Sequence, residues 1–162
     1  MAEKRWLKVK NNNRLIRAAV AEDLSVLVSM LADDPLGATR ERCDLPLHDD
    51  YLSAFREIEK DPNNELVVVL KDEQVIGMLQ LTFIPYLTHM GSWRCLVEGV
   101  RVHKGFRGQG LGGELLKWSI ERAKARDCKM IQLTSDKQRP EALQFYESLG
   151  FQSSHEGFKL KL

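Results

Sequence analysis

The feature that most constrains this 162-residue chain is the stretch Val97 to Gly113, V-E-G-V-R-V-H-K-G-F-R-G-Q-G-L-G-G. Val97, Val100 and Val102 are β-branched and predict a strand. Gly108, Gly110, Gly112 and Gly113 follow Arg107, and an amphipathic helix begins at once. A strand that runs through a glycine-rich turn into a helix builds an anion site. The first-turn N–H groups have no intrahelical partner, and the helix dipole favours negative charge there. Glycine lets a phosphate approach the backbone because no Cβ intervenes. An ordinary strand–helix turn has no use for four glycines within six positions, since each adds chain entropy that folding must remove. The stretch therefore implies a phosphorylated ligand held by main-chain donors.

Three glycine patterns compete for it. A P-loop requires G-K-[S/T] after its glycines, and Gly112-Gly113-Glu114 fails that requirement. The dinucleotide fingerprint G-x-G-x-x-G is met by Gly108, Gly110 and Gly113, with Asp136 near the spacing of a ribose-binding acid. Two features weigh against it: His103 to Arg107 separate the strand from the first glycine, and only 26 residues follow Asp136, too few for the further strand–helix units. The third pattern, R-x-x-G-x-G, is met by Arg107, Gly110 and Gly112. With E-G-V-R-V before it, a helix after it, and F-Y-E-S-L-G-F at 145–151, this stretch resembles motif A and the closing elements of the GNAT N-acetyltransferases.

That resemblance runs over roughly the whole chain from Arg14 and carries expectations. The fold is α/β, with a mixed, mostly antiparallel central sheet, helices on both faces, and a split between the fourth and fifth strands. Acetyl-CoA is the co-substrate. The backbone N–H groups of Arg107, Gly108, Gln109, Gly110, Leu111 and Gly112 hold its pyrophosphate, and the Arg107 guanidinium adds a charge-assisted bond. The backbone of Val100, Arg101 and Val102 pairs with the pantetheine arm. Tyr146 stands where many members carry the tyrosine that protonates the departing thiolate. Where many members carry an asparagine before the last helix, this chain has Arg139, so that contact with the coenzyme arm is altered. The segment S-D-K-Q-R at 135–139 resembles, less closely, the aminoalkylphosphonate N-acetyltransferase branch, in which case Lys137 or Arg139 touches the coenzyme phosphates. The implied reaction is transfer of acetyl to a primary amine of a small molecule by direct attack in a ternary complex. The alternative is a non-catalytic acyl-CoA-binding regulator on the same fold.

Amine acetylation needs a neutral amine, a donor for the developing oxyanion and a proton for the leaving thiolate. A phenol suits the last task because its pKa lies near that of a thiol; packing as a half-buried aromatic is the other reading of Tyr146. Glu98 lies two residues before Val100 and four before Val102, so on an unbroken strand all three share one apolar face. A carboxylate buried there would serve as a general base, directly or through water. Gly99 can instead mark a bulge that re-aims it, and an ion pair with Arg94 or Arg101 is equally open. His103 is read as a strand-end residue. His89 and His155 are weaker candidates for the acceptor side, and Tyr86 and Trp93 could wall it.

The remaining chain is consistent with one domain over 14–162 after a short basic extension, 1–13. Apolar residues at helical spacing (Leu24, Leu27, Val28, Leu31) and the run Leu66–Leu70 extend a pattern of β-α-α-β-β-β-α-β-α-β, its last strand over 151–162. Glu114, Lys117, Glu121 and Lys124 are expected on one solvated, ion-paired helix face. A net charge of +1 gives no push toward nucleic acid or membrane. Three scattered cysteines imply reduced thiols and a cytoplasmic protein. The four histidines show no metal-ligand spacing, so no metal is expected. A homodimer is the expected assembly because dimers are common in the resembled family.

Overall fold

The computed structural model describes residues 13–162; the predicted extension, apart from Asn13, lies outside them. The elements follow as β1 (Arg14–Ala18), α1 (Leu24–Ala32), α2 (Asp49–Lys60), β2 (Asn64–Lys71), β3 (Gln74–Pro85), β4 (Trp93–Val102), α3 (Leu111–Ala125), β5 (Cys128–Leu133) and α4 (Pro140–Ser148). The five strands form one sheet in the order β1-β2-β3-β4-β5, antiparallel except for the parallel pair β4–β5.

The uninterrupted apolar run in β2 is explained by cover on both faces. Val67 and Val69 enter one core with Leu79, Leu81, Phe83 and the α3 residues Leu111, Leu115 and Leu116. Val68 enters the other with Leu24, Leu27 and Phe55 from α1 and α2. The sheet is thus the middle of three layers. On α3, Glu121 pairs with Lys124 at 2.7 Å as expected, but Glu114 reaches across to Arg14 on β1, also at 2.7 Å.

Two departures from regularity shape the site. The register between β3 and β4 slips by one residue between Met78 and Gln80, and Gly99 in the slip has φ +60. This is the bulge foreseen at Gly99, which only a residue tolerant of the left-handed region makes without strain. The pairing of β4 with β5 stops at Val97 and Leu133. Beyond it β4 runs on to Val102, so the fourth and fifth strands part as expected.

The last predicted strand does not form: residues 151–162 have no strand structure. Phe158, Leu160 and Leu162 alternate with lysines but are 94%, 87% and 117% exposed. Alternation specifies two faces of a strand without naming its partner, and β5 keeps its outer edge free of any strand among the described residues.

Candidate active site

The glycine loop opens on a groove of about 350 Å³ lined by Val102, Arg107, Gly108, Gly110, Gly112, Gly113 and Phe145, among others. Gly108 and Gly110 have φ +74 and +78, and Gly110 is the N-cap of α3 without a side-chain cap bond. The first helical hydrogen bond belongs to Glu114, whose N–H donates to Gly110 O at 3.1 Å. The N–H groups of Leu111, Gly112 and Gly113 therefore have no partner among the described residues, which is the requirement for an anion at a helix start. The Leu111 side chain is buried in the core, so it offers the groove only its backbone. Gln109 turns to Gly105 O at 3.4 Å.

The edge of β4 leads from this loop into the split. His103 N–H donates to Ile76 O at 2.9 Å and Arg101 lies opposite Met78. Antiparallel alternation then points the Arg101 peptide at β3 and the Val102 peptide at the open side. The expected backbone contact therefore fits Val100 and Val102 better than Arg101. Arg101 Nη1 donates to Val100 O at 2.9 Å and Arg107 Nε to Val102 O at 3.1 Å, so the edge N–H groups are the donors left for an extended arm. Arg107 is also committed elsewhere: its Nη2 bonds the Asp33 carboxylate at 2.7 Å.

Tyr146, on α4, packs partly buried against the α3-side core, with Phe145 and Phe151 rings 5.3 and 6.0 Å away. Burial pushes its phenol above the ordinary value of 10.0, while the guanidinium groups of Arg101 and Arg139 pull the other way. The phenol is thus kept protonated near neutral pH, the form a proton donor needs. Glu98 is exposed, which corrects the expectation of a buried carboxylate. Val97 points into the α3-side core, so Glu98 leaves the sheet on the opposite face, while Val100, past the bulge, returns to that core. Neither ion pair considered for Glu98 forms: Arg94 stacks on Tyr86 at 4.1 Å and Arg101 pairs with Asp34.

Residues 28–151 match the Acetyltransferase (GNAT) family. The chain belongs to that family. It is 30% identical to the aminoalkylphosphonate N-acetyltransferase of Salmonella typhimurium over 59% of this chain and 61% of that one, so the match spans about three fifths of this curated relative. It is 58% identical to a transcriptional regulator from Bacillus halodurans of known crystal structure, with a TM-score of 0.89 over 92% of this chain and 99% of that one. A predicted acetyltransferase from Clostridium acetobutylicum, solved with acetyl-CoA, shares the fold at 20% identity, with a TM-score of 0.70 over 91% and 96% of the two chains.

In this GNAT chain the acidic tip of α1 joins residues that the sequence keeps far apart. Asp33 holds Arg107 of the glycine loop. Asp34 holds Arg101 at 3.3 Å and Arg139 at 2.9 Å, and accepts the N–H groups of Leu36 and Gly37. Arg139, expected at the coenzyme, is thus drawn to Asp34. Burial works to raise the Asp34 carboxyl, but the Gly37 N–H and the two guanidinium groups outweigh it and hold the carboxyl below its ordinary 3.8. The tight turn after α1 needs Gly37, since a Cβ there would lie 1.9 Å from Leu31 O. In the sequence Asp33-Asp34-Pro35 carries only the signal of a helix stop; separations such as the 74 positions from Asp33 to Arg107 leave no local trace.

The other candidates are dispersed. His103 Nδ1 accepts the Gly105 N–H at 3.2 Å and caps the turn, in keeping with its strand-end reading. His89 sits exposed in a left-handed turn at φ 53, and His155 lies exposed beside Ser154. Trp93 packs on the core. Cys95 is buried and its thiol is pushed up to about 12, chiefly by desolvation. No helix among the described residues is long and apolar enough to cross a membrane.

Proposed function

We propose that this protein transfers the acetyl group of acetyl-CoA to a primary amine of a small molecule, by direct attack in a ternary complex. The observation that carries this reading is the run of unpartnered N–H groups at the start of α3, continuous with the open edge of β4, whose Val100 and Val102 pack on the same core as Tyr146. The pyrophosphate sits on the N–H groups of Gly108 to Gly112, joined by Arg107 once it leaves Asp33. The pantetheine arm follows Val100 and Val102, and a β4 N–H supports the thioester oxygen. The amine nitrogen bonds the carbonyl carbon and gives up a proton to Glu98, directly or through water. The C–S bond breaks, and the thiolate takes the Tyr146 proton, which solvent restores.

The test is release of free thiol from acetyl-CoA across a library of primary amines, with aminoalkylphosphonates included because of the Salmonella relative. Tyr146→Phe should lower kcat by about 100-fold, with a smaller effect on the KM for acetyl-CoA. Full kcat in Tyr146→Phe with every active amine removes Tyr146 from the chemistry. Gly110→Trp should abolish acetyl-CoA binding, because Gly110 lines the groove at φ +78.

A second reading, an acyl-CoA-binding regulator without transferase activity, is favoured by the likeness to the Bacillus halodurans regulator. It predicts acetyl-CoA binding with no thiol release for any amine. A cytoplasmic location and a homodimer belong to the leading reading; the exposed apolar alternation of 158–162 and the free edge of β5 support the dimer.

A further inference from the structure

We propose that Arg101 and Arg139 form the seat for an acidic group on the acceptor, so that the amine substrate carries a phosphonate, phosphate or carboxylate at its far end. The proposal rests on the acetyl-transfer reading and deepens it.

Three observations carry it. Two guanidinium groups from separate elements, β4 and the segment entering α4, converge on the single carboxylate of Asp34 at 3.3 and 2.9 Å. Arg40, close enough to act on Arg101, has its own partner in Glu41 at 3.4 Å, so the single Asp34 carboxylate faces two guanidinium groups. Asp34 is itself saturated: Oδ1 accepts from Leu36, Gly37 and Arg139, and Oδ2 faces Arg101. It therefore fixes the arginines in place without exhausting their donors.

The donors that remain are the second observation. Arg101 Nε is buried with no partner among the described residues. Arg139 has five N–H donors, and Asp34 is its only ion-pair partner among the described residues. A buried, unpartnered guanidinium N–H beside a half-spent fork matches an oxyanion, which accepts two parallel bonds from such a group.

The third is position. Arg101 lies on the part of β4 that has separated from β5, and Arg139 immediately precedes the helix that carries Tyr146. Both guanidinium groups are near enough to act on the Tyr146 phenol. An acid anchored there would leave the other end of a short acceptor within the split where the thioester is expected. Arg101 shares the Asp34 side of the sheet, away from the α3 N-terminus that serves the pyrophosphate.

The experiment compares kcat/KM for three acceptors of equal chain length: an aminoalkylphosphonate, an ω-amino carboxylate and a neutral alkylamine. At least one anionic amine should exceed the neutral one by about tenfold or more, the scale of a charge-assisted hydrogen bond, and the better of the two identifies the acid. Arg101→Met and Arg139→Met should bring that ratio toward unity, and Arg139→Lys should restore part of it. Arg139 is partly exposed at the start of α4 and is the variant least prone to misfold. Equal rates for all three amines overturn the proposal. So does a raised KM for acetyl-CoA in the variants with the ratio intact, which would assign the arginines to the coenzyme. If no amine is acetylated, the acetyl-transfer reading fails separately. Calorimetry with the aminoalkylphosphonate and the ω-amino carboxylate then decides: binding weakened about tenfold or more by either methionine variant supports the seat, and absent or unaffected binding overturns it.

Discussion

Gly113 separates what a residue does for the fold from what it does for a ligand. It lies in the first turn of α3, its φ is not left-handed, and no atom lies within 4 Å of where its Cβ would be. Packing therefore gives no reason for glycine, and helix propensity argues against it. Gly113→Ala should stabilise the protein by up to about 1 kcal/mol, read from urea unfolding. The new methyl would project into the groove that Gly113 lines, so acetyl-CoA affinity should fall about tenfold, read by calorimetry (roughly 1.4 kcal/mol). A stabilised variant with unaltered affinity would mean that the groove is not the pyrophosphate seat. The glycine cradle was legible because spacing and backbone freedom are local properties. The fate of Arg107 was not: a guanidinium seeks whatever carboxylate the fold brings near, and here that is Asp33. For Glu98 the sequence leaves two faces open, an unbroken strand or a bulge at Gly99; the bulge is the one that forms, and it leaves Glu98 exposed.

At the scale of elements, the tip of α1 acts as a clasp. Asp34 ties that helix to β4 and to the entry of α4. Because its folded pKa is depressed below 3.8, its contribution is present above that value and is lost as the pH falls through the folded pKa. Asp34→Asn should thus lower Tm at neutral pH and flatten the fall in Tm on the acid side of about pH 4. Thermal unfolding across that range checks both, and a variant with the parental acid slope would assign the slope to other carboxylates. Most elements were legible from periodicity, because strands such as Leu66–Leu70 and helices such as 111–125 bury residues at fixed intervals. The segment 151–162 carries the same kind of alternation but stays unpaired, because a strand also needs an edge to join, and sequence does not specify which edge.

For the whole molecule, three layers bury both faces of the sheet, yet among the described residues the outer edge of β5 stays unpaired and one apolar stretch stays uncovered. Phe158, Leu160 and Leu162 in a row of exposed side chains are unusual for a chain that acts alone. Replacing all three with serine should convert a dimer to a monomer in light scattering while leaving the α3 core intact by circular dichroism. A parent protein that is already monomeric would refute the pairing. Another property of the assembled molecule follows from the two consecutive acids at the end of α1. Asp33 restrains Arg107 of the glycine loop, and Asp34 restrains Arg101 and Arg139. A single peptide link separates the two grips. If the coenzyme draws Arg107 from Asp33, the adjacent Asp34 grip would be expected to loosen with it, and the two reactants would then enter in sequence rather than independently.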